Sequence, residues 1–130
     1  YEMSSHNLAY ASGGHPPAIL FSGSAPEHTQ IERLRTPNVF MGGKSDNIYQ
    51  SKIKAINRRP SRLYVFSDGV YDITKPDGSI WGFNEFLEFT SRSFKVDEAN
   101  LDRILTRAHE LAQEEEFEDD FTIMEIVFQN

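Results

Sequence analysis

Short apolar runs punctuated by Gly and Pro over residues 8–66, two stretches with helical periodicity over residues 82–112, and a strongly β-prone run at residues 122–128 predict an α+β domain. Residues 8–12 (LAYAS) and 18–21 (AILF) read as a hairpin-like strand pair. They are joined through Gly13-Gly14-His15-Pro16-Pro17, a stiff connection because Pro has no ladder donor. Residues 22–26 read as a turn, 31–34 as a short strand, and 36–47, rich in Gly, Pro, Asn and Ser, as a loop. Tyr49, Ser51, Ile53 and Ala55 alternate with Gln50, Lys52 and Lys54, which predicts a half-buried strand over residues 49–56.

A turn over residues 57–61 feeds residues 63–66, which are apolar throughout and therefore read as a central strand buried on both faces. Arg58, Arg59 and Arg62 could form a phosphate-receiving patch, but on an acidic protein they are expected as solvated turn residues. Residues 70–73 begin a helical turn, and Lys75-Pro76-Asp77-Gly78 is a turn. Phe83, Phe86, Leu87 and Thr90 recur at helical spacing and predict a helix over residues 82–93. Asp97 is the expected N-cap of a longer helix, whose stripe is Leu101, Ile104, Leu105, Ala108, Leu111 and Ala112. Glu114, Glu115 and Glu116 oppose the dipole at its C-terminal end and should fray it. Residues 122–128 close the chain as a strand.

With 130 residues, 12% of them aromatic, the chain can bury one ordinary core, so a single domain over 1–130 is expected. A formal net charge of −7 argues against a nucleic-acid or anionic-membrane surface, and phosphate chemistry would need a cation to offset repulsion. There is no cysteine, which removes disulfides and thiolate metal sites. No apolar run approaches the roughly 20 residues of a membrane span, so no membrane insertion and a cytoplasmic location are the expectations. The chain opens on Tyr1 just ahead of a strand and reads as a piece of a longer one.

Two segments carry the chemistry: Leu63-Tyr64-Val65-Phe66-Ser67-Asp68-Gly69, and Asp119-Asp120-Phe121-Thr122. Each sets a carboxylate at the boundary of an apolar run, where a rigid backbone can aim it into a shared cleft. Paired carboxylates suit hard cations such as Mg²⁺ or Mn²⁺, which prefer oxygen ligands. The plainer reading of Asp68 is Asp-Gly turn chemistry, and of Asp119 an acidic residue leading into a strand. His15 reads first as a residue stabilising a tight Gly-Pro loop. His6, His28 and His109 read as surface residues.

Taken in order, these segments resemble the metal-dependent protein phosphatase 2C (PP2C) superfamily, in particular its bacterial branch similar to sporulation stage II protein E. Four blocks carry the resemblance: residues 8–20 with Gly14-His15-Pro16-Pro17, residues 63–72 around Ser67-Asp68-Gly69, residues 76–83 with Pro76-Asp77-Gly78 and Trp81-Gly82, and residues 119–122. The resemblance implies a sandwich of antiparallel β-sheets flanked by α-helices. It further implies two Mn²⁺ or Mg²⁺ ions bridging a water that attacks phosphoserine or phosphothreonine. It assigns Asp68 and Asp119 as metal ligands, with Gly69, Asp72, Asp120 and His15 in supporting places. Implied partners are a phosphorylated anti-sigma-factor antagonist and an upstream sensor or receiver domain.

The sequence departs from the family in two ways. Nothing matches the earlier Asp-x-x-Gly-His-Gly type motif that supplies the bridging carboxylate, so the chain corresponds to the C-terminal half of such a domain. Pro60-Ser61-Arg62 replaces the usual Gly-Asp before the central strand, which reads as a different turn. The alternative is a non-catalytic regulatory or interaction module, and a weaker one is a hydrolase of another phosphate ester. In an isolated half, faces left bare by the missing strands would favour a homodimer.

Overall fold

The structure, a computed structural model, describes residues 1–23, 28–42, 48–57, 60–94, 100–113 and 117–129. Its elements in chain order are β1 (Asn7–Tyr10), β2 (Ala18–Ser22), β3 (Gln30–Leu34), β4 (Lys52–Ala55), β5 (Ser61–Phe66), β6 (Ile73–Thr74), β7 (Ile80–Trp81), α1 (Phe83–Ser93), α2 (Leu101–Ala112) and β8 (Ile123–Phe128). An antiparallel sheet in the order β3-β2-β5-β8 forms the centre. β1 and β4 pair as a second antiparallel sheet, and β6 with β7 as a short hairpin.

Period-two alternation decides what each face of the central sheet meets. Ile19, Phe21, Tyr64 and Phe66 point to one side and form a core with Phe86, Ile104 and Ala108 of the two helices. Leu20, Leu63 and Phe128 point to the other and pack with Leu34 and Ile56, against which Leu8 and Tyr10 of β1 close. The layers are therefore helices, four-stranded sheet and two-stranded sheet, the antiparallel α+β sandwich expected. Val65, Met124 and Ile126 continue the second face but are exposed.

Several local expectations change. β1 and β2 do not pair with each other; β1 pairs with β4, and β2 with β3 and β5. Pro16 and Pro17, which fix φ and donate no hydrogen bond, carry the chain from one sheet to the other instead of letting it fold back. The strand expected over 49–56 shrinks to β4, and its Ile53 is 72% exposed, so it is not half-buried. Val65 is 38% exposed, so β5 is not covered along the whole of both faces. The helical turn comes earlier than residues 70–73, as a 3₁₀ turn over Asp68–Val70.

The largest correction concerns residues 60–62. Ser61 and Arg62 belong to β5, and Arg62 is 5% exposed instead of solvated. Its guanidinium meets Glu125 Oε1 at 2.8 Å, and the same oxygen accepts hydrogen bonds from Tyr64 Oη at 2.6 Å and Asn100 Nδ2 at 3.1 Å. Asn100 occupies the N-cap position of α2, so this buried cluster ties the start of that helix to the sheet. Asp97, the residue expected there, lies outside the described residues, as do Arg58, Arg59, residues 24–26 and Glu114 to Glu116. α2 ends on Gln113, whose backbone is left-handed (φ 55°) and whose N–H closes on the His109 carbonyl at 3.0 Å.

Candidate metal centre

Strand direction gathers the site before any side chain is considered. In the antiparallel register Phe66 faces Ile123 and Tyr64 faces Ile19, so the C-terminal end of β5, the N-terminal end of β8 and the N-terminal end of β2 lie at one end of the sheet. Asp68 follows the first, Asp119 and Asp120 precede the second, and His15 precedes the third. Leu34 faces Ala18, which brings Arg35, just beyond β3, to the same end.

Ser67 stitches the two acidic segments together. Its backbone N–H donates to the Thr122 carbonyl at 2.9 Å; its hydroxyl donates to the Asp120 carbonyl at 2.6 Å and accepts the Thr122 N–H at 3.0 Å. From there the chain enters the 3₁₀ turn, in which the N–H groups of Tyr71 and Asp72 both reach the Asp68 carbonyl at 2.9 Å. Gly69 is buried against the other segment: a Cβ at this position would stand 2.6 Å from the Asp120 carbonyl oxygen and 3.2 Å from the Asp119 carbonyl carbon. Only a residue without a side chain permits that approach, so Gly69 has a geometric role in holding the two acidic segments together.

Asp68, Asp72, Asp119 and Asp120 are all solvent-exposed. Asp119 Oδ1 accepts the Asp120 N–H at 2.7 Å, which fixes the orientation of that carboxylate. Asp120 contributes its backbone carbonyl to the Ser67 stitch. Tyr71 reports the local field: burial, then the charges of Asp68 and Asp72, push its phenol above the ordinary range, and Arg35 works against them. Arg35 is thus a cation near Tyr71, at the same end of the sheet, that sequence reasoning did not single out; its position after a short strand gave no motif to read.

His15 shares this end of the sheet, but its loop is braced elsewhere. Gly13 packs against Val39, Met41 and Tyr49, and Gly14 (φ 79°) against Phe40. His15 is exposed. Among the described residues, no group of three or more acidic or histidine side chains gathers closely enough to hold a metal ion. Exposed, backbone-anchored carboxylates fit a hard cation as part of its oxygen shell and leave the remainder to other ligands.

Comparison with known proteins follows the same lines. The chain has a PP2C-like fold: it is similar to the SiaA-PP2C domain of Pseudomonas aeruginosa, with a TM-score of 0.67 at 18% sequence identity, over 96% of this chain and 48% of that one. The chain thus spans about half the length of this structural relative. The model of the Stage II sporulation protein E (SpoIIE) family matches residues 1–129, and the chain belongs to that family. A search of curated proteins returned no significant match.

Proposed function

We propose that these 130 residues are the C-terminal half of a metal-dependent serine/threonine protein phosphatase domain, acting in the cytoplasm on a phosphorylated regulatory protein of the anti-sigma-factor antagonist type. The observation that carries this reading is the stitch through Ser67 and Gly69, which keeps the Asp68 and Asp119 segments in contact at one end of the sheet. Asp68 and Asp119 would each lend a carboxylate to Mn²⁺ or Mg²⁺, and Asp72, Asp120 and His15 would support them. Two such cations supply Lewis acidity toward water and offset charge on the phosphoryl oxygens. The bridging carboxylate would come from the half of the domain that precedes Tyr1, downstream of a sensor or receiver domain.

The test is Mn²⁺-dependent hydrolysis of a phosphoserine peptide by the intact parent protein, by its Asp68→Asn variant and by the 130-residue chain alone. Activity in the parent and loss in the other two is the expected result. A folded parent without turnover, with or without its partner, would overturn it. That second outcome belongs to the competing reading, a binding module without catalysis.

A further inference from the structure

A cavity of about 320 Å³ opens beside the two aspartates, and it shares Gly69, Asp72 and Asp119 with the candidate metal centre. Ile73, Pro76, Ala112 and Phe117 give it an apolar lining. Phe117 is held there by stacking on Phe121 (ring centroids 4.5 Å apart) and against His109 (4.6 Å). The charged lining residues are Asp72, Glu118, Asp119 and Lys75. Lys75 is already engaged, its ammonium 3.2 Å from Glu85, and Asp119 is committed to the metal in the proposed function, so among the described residues Glu118 and Asp72 set the sign of the space. Glu118 is fixed in place by the Thr74 hydroxyl, which donates to it at 2.9 Å.

A separate feature reinforces the same sign. Ala112 and Gln113, the C-terminal end of α2, line the cavity, and a helix presents the negative end of its dipole there. An anion would be repelled from this space, and a purely apolar group would strip water from carboxylates without pairing them. A side chain with a long apolar stem and a cationic head satisfies both halves. The volume, at the low end of the roughly 300–1,000 Å³ typical of ligand pockets, suits one side chain better than a cofactor.

Resting on the phosphatase reading, we infer that this cavity is a specificity subsite that receives a Lys or Arg side chain of the phosphoprotein substrate, from a residue close in sequence to the phosphorylated one. The shared residues fix that proximity: a chain whose phosphoryl group lies at Asp68 and Asp119 passes the mouth of the cavity within a few residues.

The test uses the intact parent protein with Mn²⁺, p-nitrophenyl phosphate as a substrate too small to fill the subsite, and phosphoserine peptides in which Lys, Ala or Glu is walked through the flanking positions. At one position Lys should raise kcat/KM about 5-fold over Ala, and Glu should lower it, with the contrast shrinking at high salt. Glu118→Gln should cut the Lys preference about 3-fold while p-nitrophenyl phosphate hydrolysis stays within about 2-fold of the parent. Equal kcat/KM for the three peptide series, or a Lys preference untouched by Glu118→Gln, would overturn the inference while the phosphatase reading stands. Failure to hydrolyse either substrate type would instead defeat the phosphatase reading, and the subsite with it.

Discussion

Ser67 and Asp120, 53 residues apart in sequence, are joined by a 2.6 Å hydrogen bond from the serine hydroxyl to the aspartate carbonyl. The same hydroxyl accepts the Thr122 N–H, so one side chain holds both sides of the turn into β8. Ser67→Ala removes both bonds and should cost about 1–2 kcal/mol in urea unfolding. Because the carboxylates ride on these segments, the Mn²⁺-dependent activity that we propose for the parent should fall further than that stability loss explains. Activity equal to the parent's in the folded variant would show that the stitch is not needed for alignment.

Gly69→Ala tests the same alignment by intrusion. The added methyl would stand 2.6 Å from the Asp120 carbonyl oxygen, a backbone atom that cannot swing aside. The two segments must separate, and a displacement near 1 Å is enough to cost about 100-fold in rate. The expected signature is a large drop in kcat for peptide and for p-nitrophenyl phosphate alike, with an unfolding penalty of about 1–3 kcal/mol. Gly78→Ala is the control: its φ is positive (81°), unlike that of Gly69, and no atom beyond its chain neighbours lies within 4 Å of its Cβ position, so its penalty should be confined to stability.

What the sequence disclosed follows from the range of the interactions involved. The stripes through Phe86 and Ile104 fixed both helices, because helical periodicity is a local signal. Asp68 and Asp119 stood out because each abuts a strong strand. Strand partnership was not legible: whether β1 meets β2 or β4 depends on how the chain crosses between layers, which only the whole fold decides. β6 and β7, two residues each, are too short for any period to appear. Arg62 looked solvated because the carboxylate that neutralises it is 63 positions away, on a strand whose alternation alone gives no sign of a buried charge.

That buried pair makes its own prediction. Arg62 and Glu125 side chains are 6% and 5% exposed, so removing one leaves the other charged in a site without water. Glu125→Ala should cost about 3–5 kcal/mol, whereas the double change Arg62→Met with Glu125→Leu should recover only the part due to the stranded charge, since Tyr64 Oη and Asn100 Nδ2 lose this acceptor in both variants. Urea denaturation of the single and double variants reads the coupling directly. A double variant no more stable than Glu125→Ala would show that the cluster contributes more than charge neutralisation.

The same cluster sets opposite signs at the two ends of the pH scale. Burial works to raise the Glu125 carboxyl, but hydrogen bonds from Tyr64, Asn100 and Arg62, with the Arg62 charge, hold it below the ordinary glutamate value of 4.5. A carboxylate depressed on folding contributes stability above 4.5 that is lost as pH falls toward its lower folded value. Tyr64 moves the other way: burial, then its bond to Glu125 and that residue's charge, push the phenol far above its ordinary 10.0. A group raised on folding contributes stability that is complete below pH 10.0 and declines as pH climbs beyond it. The urea midpoint should therefore drop on the acid side for the parent sequence and less steeply for Glu125→Gln. Tyr64→Phe should flatten the alkaline decline while lowering stability at neutral pH by about 1–2 kcal/mol, through loss of the bond to Glu125. Acid limbs that superimpose for the parent sequence and Glu125→Gln would place the acid-labile carboxylate elsewhere in the fold.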